Sequence, residues 1–351
     1  GNSSSRCRRH DAACPAGMLR ITATRVCFWA AATLIPNPVM TAAATVAAPG
    51  GASCAASMST SPASNSSSAA SNGPPKFALR EKWQTSPDSW ILRFALPDDH
   101  PHRYLGPDPS IPTCIAVQHD GTSETGEPKV LKKSYSPISH PSEEGTFDLL
   151  VKSYLPRPGG GVGDAICRTE AGKTITAKLK AERMMHGSPK VLGRWKRVGL
   201  VAGGTGIAPL LQVARVILAD DDDAEVRLLF VNRREEDILM RDELERMAAE
   251  HPDRFFVTHS LTGPDVGGSD WAGERGRGDL GMIKNSLPPP SGGDGTTMVL
   301  VCGTDGFVAT WGGPVGRGPK KPDGSKGAKI QGPLLGLLKE AGYDASEVFK
   351  Y

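Results

Sequence analysis

The 351-residue sequence has no run of 18 or more consecutive apolar residues, so no segment reads as an ordinary membrane-crossing helix. Cysteine is sparse and poorly spaced for paired chemistry. Seven are present, at 7, 14, 27, 54, 114, 167 and 302, and four of them fall in the first 75 residues. The other three show no C-x-x-C spacing, which argues against a disulfide scaffold or a cysteine zinc site. Strong charge of one sign is also missing: the net charge of +3 argues against a dedicated nucleic-acid binder. Acidic residues are nearly absent from residues 1–75, where Asp11 stands alone against Arg6, Arg8, Arg9, Arg20 and Arg25. Residues 41–73 are almost wholly Ala, Ser, Thr, Gly, Pro and Asn, too little apolar surface to order a chain. An Arg-rich, acid-poor leader of this kind reads as an organelle transit peptide. Two alternatives stay open: a signal peptide or weak signal-anchor starting at Met18, with Val26 to Ile35 as its apolar core, or a leader foreign to the mature protein.

The rest has 38% apolar and 23% charged content to draw on, and the length leaves room for two domains behind a tail. Residues 76–180 read as short strands at near-regular spacing: Phe77 to Trp83, Trp90 to Leu96, Thr113 to Gln118, Val130 to Ser136, Phe147 to Tyr154 and Thr174 to Leu179. That pattern suggests a small β-barrel or sandwich. After Arg197 strands alternate with helical runs. Strands are expected at Val226 to Asn232, Arg254 to Leu261, Met298 to Cys302 and Glu347 to Tyr351. Helices are expected after Pro209, at Arg241 to Glu250 and at Pro333 to Ala341. This is the signature of a parallel α/β domain. The expected division is a leader over 1–75, a barrel over 76–190 and an α/β domain over 191–351.

At the head of the α/β part, the apolar run ending in Val201-Ala202 meets Gly203-Gly204-Thr205-Gly206 and then a helix. Glycines there let backbone N–H groups approach a ligand, and the helix start behind them favours negative charge. The turn lacks the G-x-G-x-x-G spacing of the doubly wound dehydrogenases. Taken alone it fits a dinucleotide turn and a plain structural βα turn equally well. Two other stretches carry chemistry. In Lys133-Ser134-Tyr135-Ser136-Pro137, strand alternation puts Lys133 and Tyr135 on one face, a cation for phosphate beside a ring for a planar cofactor. A half-buried tyrosine beside a solvated lysine is the plainer alternative. Gly159-Gly160-Gly161-Val162-Gly163 feeds a short helical turn and reads as a second anion site or a hairpin loop, with Asp164 as a candidate N-cap.

In their order, these motifs resemble the NADH–cytochrome b5 reductases of the ferredoxin–NADP reductase superfamily. Lys133 to Ser136 is similar to the family's R-x-Y-[ST], and Gly203 to Pro209 to its G-G-T-G-I-T-P. Val151-Lys152-Ser153-Tyr154 resembles V-K-x-Y, and Leu229 to Leu239 resembles L-F-A-N-x-T-E-x-D-I-L. Cys302-Gly303 resembles its late C-G, and Val348 to Tyr351 its aromatic end. The resemblance covers residues 76–351. It implies a β-barrel FAD-binding domain followed by an α/β, Rossmann-like NAD-binding domain with a parallel sheet.

The resemblance also implies the site. Lys133 pairs with the FAD diphosphate, Tyr135 packs on the isoalloxazine and the Ser136 hydroxyl sits near flavin N5, with Pro137, Val151 and Tyr154 beside them. Gly160, Gly161, Val162 and Gly163 cradle the diphosphate, and Lys152 contacts incoming NADH. Gly203, Gly204, Thr205 and Gly206 line the nicotinamide nucleotide site. Cys302 and Gly303 border the nicotinamide, with Cys302 near the hydride path, where a buried strand-end cysteine is the alternative. Ser136 and Cys302 are the expected catalytic residues, and hydride transfer between the two cofactors calls for no metal and no general acid. Asn232, Arg233 and Asp237 set nucleotide choice: Asp237 repels a 2′-phosphate and favours NADH, while Arg233 and Arg234 would favour NADPH.

The sequence departs from the family at four points: Lys133 stands for Arg, Gly163 for Ser and Ala208 for Thr, and Thr304-Asp305-Gly306-Phe307 replaces a proline-rich run. The expected partner is cytochrome b5 or a similar acidic haem protein. It would be steered by the basic stretch 173–197 and by Arg317, Lys320, Lys321, Lys326 and Lys329. Ordinary solvated charge is the alternative for both stretches. No nucleic acid is expected. Mitochondrial delivery is expected, with the endoplasmic reticulum or another membrane-associated site as the alternative. A reductase for a quinone, ferric chelate or oxygenase partner, and a redox-inactive docking module, remain alternative functions.

Overall fold

The computed structural model describes residues 73–123, 125–154, 161–220, 223–263, 270–320, 322 and 327–351. The leader through residue 72, Gly159, Gly160, Lys321 and Lys326 lie outside them. The first half holds β1 (Lys76–Ser86), β2 (Ser89–Ala95), β3 (Ile115–Thr122), β4 (Pro128–Tyr135), β5 (Thr146–Lys152), α1 (Val162–Arg168) and β6 (Thr174–Leu179). The six strands form one antiparallel sheet in the order β4-β3-β6-β1-β2-β5. Its two edges meet where the chain leaves β4. Pro137 bridges Leu149 of β5, and the Ile138 N–H donates to the Asp148 carbonyl at 2.9 Å. This closes the sheet towards a barrel, which shields the exposed backbone of its edges. Strand alternation then splits β5 between two cores. Phe147, Leu149 and Val151 fill the barrel interior, while Leu150 faces out.

The second half holds β7 (Arg197–Gly203), α2 (Ile207–Asp220), β8 (Glu225–Asn232), α3 (Arg241–Glu250), β9 (Phe255–Leu261), β10 (Glu274–Arg275), α4 (Leu280–Ser286), β11 (Thr297–Cys302), α5 (Asp305–Gly312), β12 (Gly316–Arg317), β13 (Lys329–Ile330), α6 (Gly336–Glu340) and β14 (Val348–Lys350). The sheet β10-β9-β8-β7-β11-β14 is parallel throughout. Its strands are apolar on both faces because helices cover both. Val198, Leu200 and Ala202 of β7 pack with α2 and α3, whereas Val201 packs with α4, α5 and α6. The strand order reverses beside β7. The chain works outward through β8, β9 and β10, then returns to place β11 on the other side, with Ala202 opposite Cys302. Ligands of such sheets bind at the carboxyl ends of the strands that flank this reversal.

Two helices, α4 and α5, escape the periodicity reading. Each spans less than three turns, and α5 carries two glycines in Asp305-Gly306-Phe307-Val308-Ala309-Thr310-Trp311-Gly312. The helix expected over Pro333 to Ala341 is confined to Gly336–Glu340, because Gly336 has φ +69° and Leu335 before it is extended. The final strand is likewise Val348–Lys350 rather than Glu347 to Tyr351. Asp164 is not the N-cap of α1. Gly161 holds that position, and Asp164, inside the first turn, pairs with Arg168 at 3.0 Å.

The barrel and the parallel sheet belong to one compact unit. Ile91, Ile138 and Leu150 from the barrel's outer face share a core with Met185, Val191 and Trp195 of the connecting segment and with α2. Buried in the same seam, Gln212 of α2 accepts from the Thr113 N–H at 2.8 Å. It donates to the Thr113 hydroxyl at 3.2 Å and to the Ser139 carbonyl at 3.4 Å. An amide satisfied from two sides fixes the spacing of the halves, because any slip leaves buried polar groups unpaired.

The turn before β14 is held by one carboxylate. Glu347, 1% exposed, accepts from the N–H and hydroxyl of Ser291 at 2.6 Å each and from the Asp344 N–H at 2.8 Å. Burial pushes its pKa up, but the hydrogen bonds outweigh burial and leave it below the ordinary 4.5. A carboxylate depressed in the folded state stabilises above the unfolded-state pKa and loses that contribution as pH falls through the folded one. Glu347→Gln is therefore expected to cost about 2 kcal/mol at pH 7. Denaturant unfolding across pH should show the difference from wild type closing below pH 4.5.

Candidate active site

The carboxyl ends of β7 and β11 face the exit of β4 across a cleft of about 250 Å³. Lys133, Tyr135, Ser136, Lys152 and Tyr154 line it from the barrel side, and Thr205, Gly206, Cys302 and Gly303 from the sheet side. The turn after β7 is a 3₁₀ turn, Gly204–Gly206, running straight into α2. Gly206 is fixed by contact: a Cβ there would collide with the Cys302 carbonyl, so only glycine lets the two chain crossings touch. Phe307 of α5 lies against the other two glycines of the site. Its ring would be 3.0 Å from a Cβ on Gly203 and 2.5 Å from one on Gly303. The run at 304–307 thus backs these glycines with an aromatic ring, seated by Thr304, whose hydroxyl accepts from the Phe307 N–H at 3.3 Å.

On the barrel side, Lys133 and Tyr135 do share a face. The Lys133 ammonium lies 5.4 Å from the ring centroids of both Tyr135 and Tyr154. Tyr135 is buried, and its hydroxyl has no hydrogen-bond partner. Burial also pushes its pKa up, so it is a neutral donor. The hydroxyl lies over α1. A Cβ on Gly163 would be 3.3 Å from it and 3.0 Å from the Lys152 carbonyl. An unpaired buried donor and a helix start that has shed its side chains are what a bound group carrying acceptor oxygens would complete. Gly161 is the N-cap of α1 and Val162 its buried first residue; Gly160 lies outside the described residues.

Other expected residues are partly spoken for. The Val151 side chain points into the barrel core and its carbonyl accepts from the Cys167 thiol at 3.7 Å, leaving no side chain for a ligand. Pro137 closes the barrel. Lys152 lines the cleft while its ammonium is paired with Asp88 at 2.7 Å. Burial pushes the Cys302 thiol up to about 11, with Arg183 and Lys329 pulling back only in part. At neutral pH it is a protonated wall rather than a nucleophile.

Asn232 ends β8 buried, and both polar atoms of its amide lack partners. Beyond it, a groove of about 1280 Å³ is lined by Arg234, Glu235, Glu236, Arg241, His259 and Trp271. Of the two arginines expected to welcome a 2′-phosphate, Arg234 is engaged there with Glu236 at 3.6 Å; neighbouring Arg241 pairs with Glu235 at 2.6 Å and Glu245 at 3.0 Å. Arg233 is exposed, and Asp237 closes the 3₁₀ turn Glu235–Asp237. Sequence reasoning did not place Cys114, Arg183, Lys329 and Tyr351 in the cleft, yet all four line it. Tyr351 sits at the aromatic end that the motif reading noticed. Arg183 and Lys329 belong to the two basic stretches that read as charge for a partner, and Cys114 carries no local signal.

Comparison with known proteins gives this geometry a family. Residues 76–181 match the family description "Oxidoreductase FAD-binding domain", and residues 200–311 match "Oxidoreductase NAD-binding domain". The chain is 36% identical over 239 residues to NADH-cytochrome b5 reductase 1 of Aspergillus terreus, covering 66% of this chain and 74% of that relative. It is 30% identical over 278 residues to the NADH-cytochrome b5 reductase-like protein of Arabidopsis thaliana, covering 79% and 76%. The chain belongs to the NADH–cytochrome b5 reductase family. Among solved structures, this reductase resembles the cytochrome b5 reductase domain of Ulva prolifera nitrate reductase, with a TM-score of 0.60, 26% identity and coverage of 79% and 97%. It is an FAD-dependent oxidoreductase that uses NADH.

The orphaned tyrosine gives a test in which two readouts move in opposite directions. Tyr135→Phe removes an unsatisfied buried hydroxyl, so the flavin-free protein should gain about 1 kcal/mol of stability. The same change should weaken FAD retention about tenfold, read by equilibrium dialysis beside thermal unfolding of the flavin-free form.

Proposed function

We propose that this reductase delivers its electrons one at a time to a haem protein, cytochrome b5 or one with a similar acidic face. When bound, the cofactors would supply the chemistry, hydride transfer from nicotinamide to flavin and release of two single electrons. The chain supplies position and field. Lys133 and the start of α1 would hold the flavin diphosphate, and Tyr135 and Ser136 the flavin ring. Thr205, Gly206 and Cys302 would hold the nicotinamide. The observation that carries this reading is the convergence, in one cleft, of the barrel's lysine–tyrosine–serine run and the two glycine ends of β7 and β11.

The acceptor reading is supported by the names of the relatives and by charge on this chain. Lys173, Lys178 and Lys180 are exposed on and beside β6. Part of the basic stretch is committed elsewhere. Lys196 pairs with Asp223 at 3.0 Å, Arg194 donates to the carbonyls of Met185 at 2.9 Å and Lys190 at 3.0 Å, and Arg197 holds Thr296 and Thr297. Of the exposed lysines, Lys180 reaches the cleft lining, its ammonium donating to the Ser134 hydroxyl at 3.1 Å. Mitochondrial delivery, with the endoplasmic reticulum or another membrane as the alternative, is supported by the composition of residues 1–75 alone.

Purified protein should carry an FAD absorption band that bleaches anaerobically on adding NADH. The Tyr135→Ala/Ser136→Ala double variant should bleach about 100-fold more slowly. Stopped-flow reduction of cytochrome b5 should slow steeply with ionic strength. A rate on ferric chelate or quinone that exceeds it and ignores salt would assign the enzyme to another acceptor.

A further inference from the structure

The cleft is lined by four cationic side chains, Lys133, Lys152, Arg183 and Lys329, and by no carboxylate. Lys133 lies at 5.4 Å from two tyrosine rings, and Lys152 is neutralised by Asp88. Arg183 and Lys329 differ: no hydrogen bond or ion pair joins either side chain to a described residue. The Arg183 guanidinium lies over the Tyr351 ring, 4.5 Å from its centroid. Lys329 comes from a separate arm, the β12–β13 hairpin, in which Arg317 pairs with it across the two strands.

That arm is fastened down. Gln331 pairs with the backbone of Lys350 in both directions, accepting from its N–H at 2.7 Å and donating to its carbonyl at 3.0 Å. The buried Lys350 ammonium donates to the carbonyls of Gly312 at 3.0 Å and Pro333 at 2.9 Å, the two feet of the arm. Lys329 is two residues from this clamp, so its place at the cleft is built into the fold. Burial and the nearby Arg183 both push the Lys329 ammonium below its ordinary pKa. Two like charges held together in a partly dry cleft disfavour each other until negative charge arrives between them.

We infer that Arg183 and Lys329 are electrostatic positioning residues that hold the negative charge gained by the flavin when it is reduced, and so set its reduction potential. This rests on the assignment of the cleft to the flavin and nicotinamide rings. Hydride transfer breaks the C–H bond at nicotinamide C4 and forms an N–H bond at flavin N5. Two electrons and one proton move together, leaving the nicotinamide ring one charge more positive and the flavin ring one charge more negative. Fixed cations that face the flavin favour this direction in advance, with no reorganisation when the hydride moves. The oxidised flavin and its diphosphate, bound at Lys133 and α1, gain nothing from them.

The test uses FAD-loaded protein with no nucleotide present, titrated anaerobically against a reference dye at low ionic strength. Lys329→Met should lower the equilibrium for two-electron reduction about tenfold, a drop of ~30 mV in midpoint, and Arg183→Met should do likewise. Lys329→Arg, which keeps the charge, should restore the wild-type midpoint while FAD content stays constant across the set. A lowered midpoint in both methionine variants with recovery in the arginine variant establishes the pair's role. Unchanged midpoints overturn it. So does an unchanged midpoint accompanied by weaker NADH binding in Lys329→Met, which would give the lysine to the nucleotide's diphosphate instead. Wild-type protein that takes up no FAD would fail the functional assignment itself, a different result from either.

Discussion

Everything at the site depends on the amide of Gln212. Hydride transfer demands two ring systems in contact, one bound mainly by the barrel and one mainly by the parallel sheet, and a misplacement of about 1 Å costs about 100-fold in rate. A purely apolar seam can slide. The seam here has an apolar part, with Ile91, Ile138 and Leu150 packed against α2, and one buried polar lock, Gln212 bound to Thr113 and Ser139. Thr113 immediately precedes Cys114, and Ser139 follows the Tyr135–Pro137 exit of β4, so the lock grips two segments that themselves line or adjoin the cleft. The polar contact adds little net stability and much register, because its alternative arrangements strand an amide in a dry interface.

The same logic of near contact explains the glycines. At the strand-order reversal the β7 turn and the β11 exit come within touching distance, with Gly206 on the Cys302 carbonyl. A bare backbone there presents N–H groups and no side-chain bulk to a nucleotide, and Phe307 covers the glycines from behind. The thiol at this point is neutral, so it contributes shape and polarisability rather than charge. Charge is supplied from outside the sheet, by the connecting segment through Arg183 and by the clamped arm through Lys329.

The sequence made the two-part architecture legible because each part has its own period. Short strands at near-regular spacing over residues 76–180 mark the antiparallel sheet, and the unbroken apolar runs at Val198–Ala202 and Met298–Val301 mark strands covered on both faces. The motif residues Lys133, Tyr135, Ser136, Thr205, Gly206 and Cys302 do share one cleft. What stayed hidden has one physical cause: it is long-range. Lys329 lies 27 residues past Cys302 and reaches the cleft because the lysine that ends the last strand clamps its arm. The helices α4 and α5 are too short to show a period, and Val151 reads as a ligand-side residue until the pleat turns it inward.

Lys350 shows how far this coupling extends. A lysine at the end of a three-residue strand, 2% exposed, would ordinarily destabilise the fold by the cost of burying an ammonium. Its carbonyl partners at Gly312 and Pro333 compensate by charge-assisted hydrogen bonds, and burial still depresses its pKa. The carbonyl of Gly312, at the end of α5, also carries the negative end of that helix. One buried cation thus terminates the helix that seats Phe307 and anchors the arm that presents Lys329. Removing its charge would loosen both the packing behind Gly203 and Gly303 and the placement of Lys329 without touching a ligand. The backing of the site's glycines and the charge at its rim are therefore set by a residue outside the cleft lining.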